Sequence, residues 1–198
     1  FIFESVEKRT IRGRYTIIGA DPDKIWEFNK NNIHLIEKNS KKKIYSPPYI
    51  FLKKLIKDFS FPLPKNVPPL CSLLVGYFSY DIIRYIENIP DKCKDDLKIP
   101  DVRLIRPKTI IIHDNLLKKI YFISNCFADE KISNYSKYYL EKIKYIQSLK
   151  DLSFNFNFKN KITKKIKKKI KVKSNISKKK FIEIVKKAKD YIKKGDIF

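Results

Sequence analysis

Short strand patterns follow one another along most of the chain, and helix patterns are interposed between them only a few times. The strand patterns are, in order, FIFESV, RGRYTIIG, KIWEF, IHLIE, SLLVGYF, KTIIIHDN and LKKIYFIS. Consecutive strands joined by polar turns, such as NKNN between the third and fourth patterns, favour antiparallel pairing. The predicted fold class is therefore α+β, with antiparallel strands and interposed helices, rather than a doubly wound parallel sheet.

Three helix patterns lie among these strands. In SPPYIFLKKLIKDF, Ser46 is the predicted N-cap and Pro47 the predicted first helical residue. A short helix is predicted after the strand that contains Gly76, with Asp81 placed to cap it. The third covers residues 129–149, where apolar side chains recur at helical spacing.

A fourth helix pattern lies near the C-terminal end. Ser177 is its predicted N-cap, and Gly195 is placed to terminate it. The residues that follow, 196–198, have the pattern of a strand that is cut off after three residues. Because FIFESV also begins inside a strand pattern, we expect the chain to be a fragment at both ends.

A lysine-rich stretch divides the chain. Between Lys150 and Lys173 the sequence has few apolar anchors and neither Gly nor Pro, which is typical of a solvated linker or an edge segment. The predicted domains are residues 1–149, and residues 174–198 as the truncated start of a second domain. A polybasic membrane-surface site is the functional alternative for the lysine run.

The net charge of +24 is the feature most open to misinterpretation. Lysines that neutralise phosphates favour binding to nucleic acids. Only six of the 45 basic residues are Arg, however, and Arg is the residue preferred for bidentate recognition of phosphates and bases. Zinc-finger spacing, RNP-type aromatic motifs and a helix-turn-helix pattern are also missing from the sequence. We therefore expect a solvated lysine surface and neither a nucleic-acid nor a membrane partner.

Cysteine usage and hydropathy predict the compartment. No apolar run approaches the about 20 residues needed to span a bilayer. The three cysteines, Cys71, Cys93 and Cys126, are odd in number and lack CxxC spacing, which fits unpaired thiols in a reducing compartment. A cytoplasmic location is predicted.

Motifs for self-sufficient catalysis are missing from the sequence: it contains no P-loop, GxGxxG, HExxH or GxSxG pattern. The two histidines, His34 and His113, both fall within strand patterns and are interpreted as structural. No catalytic residue and no metal ligand is therefore predicted within this chain.

Two clusters are unusual for a plain sheet protein. The first is Glu4 and Ser5 within FIFESV, next to the basic stretch RTIRGRY, and on chemistry alone the alternation of a strand with a solvent face is the favoured explanation. The functional alternative is a strand end whose Ser hydroxyl and backbone groups bind an amino acid's polar head while nearby aromatic residues hold its side chain. The second is VGYFSYDIIRYIE, in which Gly76 indicates a close backbone approach or a bulge. A packing corner between sheet and helix is sufficient to explain the second cluster.

These clusters together resemble the N-terminal domain of anthranilate synthase component I, the large subunit. The family's LLES, GRYS and G-x-DP elements have counterparts in FIFES, GRYTIIG and ADPD. Its GLVGYFGYDxVRYIE segment is similar to LLVGYFSYDIIRYIE, with Ser79 in place of a Gly, and its LPD element is similar to IPD at residues 99–101. The helix from Ser177 and the following GDIF resemble the start of the family's chorismate-binding domain.

The resemblance implies an activity that the residues alone do not. Family members convert chorismate and ammonia to anthranilate and pyruvate in tryptophan biosynthesis, and use magnesium held by the C-terminal, catalytic domain. Ammonia comes from a glutamine amidotransferase subunit, so the resemblance implies a hetero-oligomer. In feedback-sensitive members tryptophan binds the N-terminal domain, and the matching positions are Ser5, Glu4 and Phe3, with other contacts from a segment beyond this sequence.

Two alternatives are left open by the sequence. The large subunit of aminodeoxychorismate synthase shares the fold, the substrate and the amidotransferase partner, and makes a folate precursor. A lysine-rich protein that binds nucleic acid or a membrane surface is the alternative from a different class.

Overall fold

The computed structural model describes residues 1–5, 13–38, 40–60, 62–92, 94–155 and 173–197. The chain divides into two compact units, Phe1–Phe156 and Asn157–Phe198. The first unit contains a seven-stranded sheet, two α-helices and a 3₁₀ helix, and the second contains one α-helix among its described residues.

The bounds of the elements are as follows. The strands are β1 (Ile2–Phe3), β2 (Tyr15–Asn29), β3 (Asn32–Glu37), β4 (Ser40–Ile44), β5 (Val75–Phe78), β6 (Val102–Asp114) and β7 (Lys119–Ser124). The helices are α1 (Pro48–Asp58), the 3₁₀ helix (Tyr80–Tyr85), α2 (Tyr135–Asn155) and α3 (Lys178–Lys194).

The sheet is built around the antiparallel pair β2 and β6. The strand order is β4-β3-β2-β6-β5, and β1 also pairs with β2 while β7 also pairs with β6. Every pairing is antiparallel. The α+β fold of antiparallel strands with interposed helices is therefore confirmed, and the predicted hairpin partners KTIIIHDN and LKKIYFIS are β6 and β7.

Strand β2 corrects one prediction. RGRYTIIG and KIWEF were expected as separate strands with a break after Gly19, but they form one strand of 15 residues. Strand β6, with 13 residues, offers hydrogen-bonding partners along nearly all of that length. The register shifts between Pro22 and Lys24, and such a bulge is where a strand tolerates a proline.

Two apolar clusters pack on one face of the sheet. The larger consists of Trp26, Phe28, Ile33, Leu52, Leu55, Val102 and Leu104, and the smaller of Ile17, Ile110 and Ile112. Alternate residues of β2 and β6 contribute to both clusters, as expected for side chains on one face of a strand. Helix α1 covers the larger cluster through its two buried leucines. The sheet core therefore depends on β2 and β6 along their whole length.

Helix α1 begins one residue later than predicted. Pro47 is its N-cap, Pro48 is the first helical residue, and no side chain caps the helix. The predicted cap, Ser46, lies too early in the chain to reach the first turn, and its hydroxyl lies 3.4 Å from the Pro47 carbonyl oxygen. A proline at the first helical position stabilises the start of the helix, because its φ already suits a helix and it has no backbone N–H that would need a capping acceptor.

Helix α2 is shifted towards the C-terminus relative to the predicted residues 129–149. Its first turn is capped by Asn134, whose side chain accepts a hydrogen bond of 2.9 Å from the Lys137 backbone. The helix continues to Asn155, so residues 150–155 of the predicted linker are helical. Residues 156–172 lie outside the described residues, and the domain boundary placed there stays a prediction.

Helix α3 agrees with the sequence at both ends. The Ser177 hydroxyl accepts a hydrogen bond from the Lys180 backbone at 3.3 Å, and Gly195 ends the helix with φ of 78°. A positive φ here favours glycine. The predicted strand after it is not present over Asp196 and Ile197, and Phe198 lies outside the described residues.

Candidate functional site

The predicted ligand residues lie at the end of β1, where it pairs with β2. Ile2 and Phe3 are opposite Ile18 and Ile17. The backbones of Phe1 and Gly19 exchange two hydrogen bonds, of 3.0 and 3.1 Å, so β1 is held in register at its start.

Phe3, Glu4 and Ser5 are all exposed next to this pairing. The Phe1 and Phe3 rings are tilted towards one another with centroids 5.1 Å apart. The Phe1 ring lies over Gly19, where an added Cβ would overlap it. The structure thus presents a pair of aromatic rings at the end of β1, followed in the chain by an exposed carboxylate and an exposed hydroxyl.

The second sequence cluster begins with β5 and continues into the 3₁₀ helix. Gly76 lies against β6, where an added Cβ would overlap the carbonyl oxygen of Arg103. Ser79 is the N-cap of the helix, but its side chain makes no capping hydrogen bond, while Asp81 forms an ion pair with Arg84. Asp81 as the predicted cap is therefore wrong, because it already belongs to the first helical turn.

Asp101 joins three elements at this corner of the sheet. Its carboxylate accepts hydrogen bonds from the backbone of Lys30 at 2.7 Å and from the Tyr85 hydroxyl at 2.9 Å. Its backbone donates to Phe28 and accepts from Ser79, each at 2.7 Å. Burial and the Asp101 carboxylate both raise the pKa of Tyr85, so this hydroxyl stays a hydrogen-bond donor. Asp101 was recognised only as part of the IPD motif, and its connecting role follows from the structure.

A cleft of about 600 Å³ opens beside Asp101, between the β2–β3 turn, the 3₁₀ helix and the loop before β6. Its charged lining consists of Asp81, Asp91, Asp95, Asp96, Asp101, Lys30, Arg84 and Lys94. Its large apolar and aromatic lining includes Tyr80, Tyr85, Leu97 and Ile99. Sequence reasoning missed this site, although the aspartates at 91, 95, 96 and 101 were a visible signal in a basic chain.

An ion-pair network holds the β2 bulge. Arg106 is buried on β6, donates to both carboxylate oxygens of Asp23 and reaches Asp129 at 3.0 Å. Its guanidinium lies 3.9 Å from the centre of the Phe127 ring. Burial raises the pKa of Asp129, but hydrogen bonds from Lys24 and Arg106 outweigh it and lower that pKa to about 2. The network fixes the turn around Asp129 against the sheet.

A buried carboxylate lies at the C-terminal end of β6. Asp114 accepts a pair of hydrogen bonds from Arg14, the shorter of 2.7 Å, and further ones from the backbones of Leu116 and Leu117. These bonds, the Arg14 pair first, lower the pKa of Asp114 to about 2. The Arg14 of GRYTIIG therefore has a structural role in holding the β6–β7 turn.

The remaining predicted features can be placed briefly. His34 and His113 lie in β3 and β6, as the strand patterns predicted. Cys71 and Cys126 are unpaired, and Cys93 lies outside the described residues. Within the described ranges, no three His, Cys, Asp or Glu side chains are grouped so as to hold a metal ion. Among the same residues, no helix has the length and apolar character required to cross a membrane.

Comparison with known proteins decides the family. The family model described as chorismate binding enzyme matches residues 1–198. This chain belongs to that family. Among curated relatives, anthranilate synthase component 1 of Acetivibrio thermocellus is 33% identical over 210 residues, and that of Cereibacter sphaeroides is 28% identical over 203. Both alignments cover 100% of this chain, which spans only 41% and 40% of the two relatives.

A solved structure has the same fold as this member of the chorismate binding enzyme family. Anthranilate synthase component I from Streptococcus pneumoniae aligns with a TM-score of 0.71 at 22% sequence identity. The alignment covers 100% of this chain and 41% of that one. At this identity the similarity shows a shared fold, and it agrees with the family that the sequence motifs indicated.

Proposed function

We propose that the full-length protein containing this chain is component I of anthranilate synthase. It would aminate chorismate with ammonia, release water and then pyruvate, and leave anthranilate for tryptophan biosynthesis. One observation carries the proposal. Curated relatives named anthranilate synthase component 1 align along 100% of this chain, and the two reported above are 33% and 28% identical to it. Those names also favour this reaction over aminodeoxychorismate formation.

The cofactor and partner are part of the same proposal. A divalent cation suits a substrate with carboxylates because it neutralises and orients them, and magnesium is proposed for the whole protein. The magnesium site is proposed to belong to the catalytic domain, as the resemblance implies, and no residue of this chain is assigned to it. The name component 1 implies a companion component, which we propose is a glutamine amidotransferase that supplies ammonia in a cytoplasmic hetero-oligomer.

The described sheet is proposed to form the regulatory side of the enzyme. Residues 1–149 would be the N-terminal domain, and residues 174–198 the start of the chorismate-binding domain. Tryptophan would bind at Phe3, Glu4 and Ser5, which are all exposed at the end of β1. Feedback requires that tryptophan bind one arrangement of the enzyme more tightly than another.

The test uses the full-length product of the reading frame that encodes this chain. Purified protein is given chorismate, ammonium and magnesium, and anthranilate is followed by its fluorescence with and without tryptophan. Formation of anthranilate that declines as tryptophan rises supports both the reaction and its regulation. Consumption of chorismate without anthranilate would point to the aminodeoxychorismate reaction, and no consumption would contradict both.

A further inference from the structure

Helix α2 lies beside β7 without contributing to the apolar core of the sheet. Among the described residues, neither apolar cluster includes one of α2, whereas α1 contributes two buried leucines to the larger cluster. None of the described side chains of α2 is buried, and the large apolar ones that are exposed are Tyr135, Tyr139, Leu140, Ile143 and Leu152. Because a helix is stabilised in a protein mainly by the apolar area it buries, α2 gains little from its packing.

The side of α2 that faces the sheet is attached through polar groups, of which the Tyr145 hydroxyl is the first. It donates a hydrogen bond to Asp21 Oδ2, which also accepts one of 2.9 Å from the buried Thr109 hydroxyl. Asp21 belongs to the ADPD motif and has φ of 50°, an uncommon conformation for a residue with a Cβ. A single carboxylate oxygen thus joins α2 to both central strands, since Asp21 lies in β2 and Thr109 in β6.

The second attachment is Tyr138, two helical turns before Tyr145. Its hydroxyl donates to Glu130 at 3.3 Å, and Glu130 forms an ion pair with Lys108 of β6. Between the two tyrosines, the Lys142 ammonium lies 5.3 Å from the centre of one ring and 5.6 Å from the other. When such polar contacts open, water replaces them, so their net contribution to holding the helix is small.

We propose that α2 is a detachable strap, which opens as a unit at Tyr138 and Tyr145 while the sheet stays folded. Opening leaves both apolar clusters intact, so it costs less free energy than global unfolding. Helix α2 ends at Asn155, and the first compact unit ends at residue 156. The docked helix therefore fixes the point at which the chain leaves the sheet, and the open helix releases it.

The experiment is amide hydrogen exchange of the full-length protein, followed by mass spectrometry. In the wild type, we expect amides in the middle of α2 to exchange at least about tenfold faster than those of β2 and β6. Tyr145→Phe keeps the ring and removes the hydrogen bond, so exchange in α2 should become about threefold faster, and about tenfold faster in the double variant Tyr138→Phe/Tyr145→Phe. The amides of β2 and β6 should not change.

Tyr139→Phe is the matched control on the same helix. Tyr139 is 65% exposed, and its hydroxyl makes no hydrogen bond to any residue that the structure describes, so this variant should exchange like the wild type. Three results would each overturn the strap: wild-type α2 amides as slow as those of β6, equal exchange in Tyr145→Phe and Tyr139→Phe, or sheet amides that accelerate together with those of α2. The readout needs no turnover, so it is independent of the proposed reaction.

Discussion

Gly76 and Arg103 lie so close across β5 and β6 that a Cβ on residue 76 would overlap the Arg103 carbonyl oxygen. The obstructing atom belongs to the backbone of a central strand, so a side-chain rotation cannot remove the clash. The glycine of VGYF therefore permits the close approach that places the 3₁₀ helix and the cleft beside the start of β6.

Substitution of this glycine should destabilise the protein. Gly76→Ala forces β5 away from β6, and an overpacked site of this kind costs about 1–3 kcal/mol in free energy of unfolding, measured by urea denaturation. Gly195→Ala is the contrasting variant, because its Cβ would meet nothing within 4 Å while its φ of 78° is strained for alanine. Retention of full stability by Gly76→Ala would show that the strand pair can separate without cost.

The Arg106 network should matter far more than a surface ion pair on the same strand. Arg106→Met leaves Asp23 and Asp129 without their shared cation, and because Arg106 is buried while both carboxylates are partly exposed, the loss of these charged hydrogen bonds should cost about 1.5–3 kcal/mol. The control is Arg103→Met, where the arginine pairs with Glu27 and its side chain is 45% exposed. Such exposed pairs contribute about 0–1 kcal/mol. Similar losses in the two variants, measured by urea denaturation, would contradict the assignment of Arg106 as the central residue of the bulge.

Stability should fall in acid because of carboxylates whose pKa is lowered in the folded state. Asp114 and Asp129 have a pKa of about 2, against an ordinary value of 3.8. Their stabilising effect is complete above about pH 5, beyond the titration of the unfolded state, and is lost as the pH falls towards 2. The free energy of unfolding, measured at a series of pH values, should therefore decrease through that window.

Asp114→Asn should flatten this pH dependence. The amide does not titrate, and it has one acceptor oxygen in place of the two with which the carboxylate accepts hydrogen bonds from Arg14. Asp58→Asn, at the exposed end of α1, serves as the control and should leave the slope unchanged. A slope in Asp114→Asn equal to that of the wild type would mean that this carboxylate is not a source of the acid sensitivity.

Feedback by tryptophan should depend on Ser5. In the full-length enzyme, Ser5→Ala removes the hydroxyl and Ser5→Phe also blocks the space next to Phe3, so the tryptophan concentration for half inhibition should rise several-fold. Uninhibited turnover should change little, because Ser5 is assigned to the regulatory ligand alone. The control is Ser60→Ala, at an exposed serine just after α1. Unchanged inhibition of both Ser5 variants would remove Ser5 from the site.

The sequence predicted elements well where local chemistry is decisive. Ser177 and Gly195 bound α3 as predicted, because a hydroxyl that accepts from the third residue and a glycine with positive φ act within one helical turn. The β2–β3 hairpin around NKNN and the β6–β7 pair were likewise readable from apolar runs separated by turn residues.

Features that depend on distant partners were not predictable in the same way. Gly19 and Pro22 look like the end of a strand, but β6 supplies partners on both sides of the bulge and keeps β2 continuous. Strand β4 has the sequence SKKKI, which lacks an apolar pattern, and it forms because β3 offers a free edge. The cleft is likewise a product of assembly, since its lining comes from three segments that Asp101 connects.

The continuity of β2 has a consequence for communication within the protein. Gly19, beside the proposed tryptophan site, and Asn29, at the edge of the cleft, are ten residues apart on one hydrogen-bonded strand, which at the usual rise is about 33 Å. Two small ligands, one bound at each of these places, therefore could not touch one another across this sheet. The strand pair β2 and β6 acts as a spacer of fixed length, so a signal that used this route would have to move both strands together.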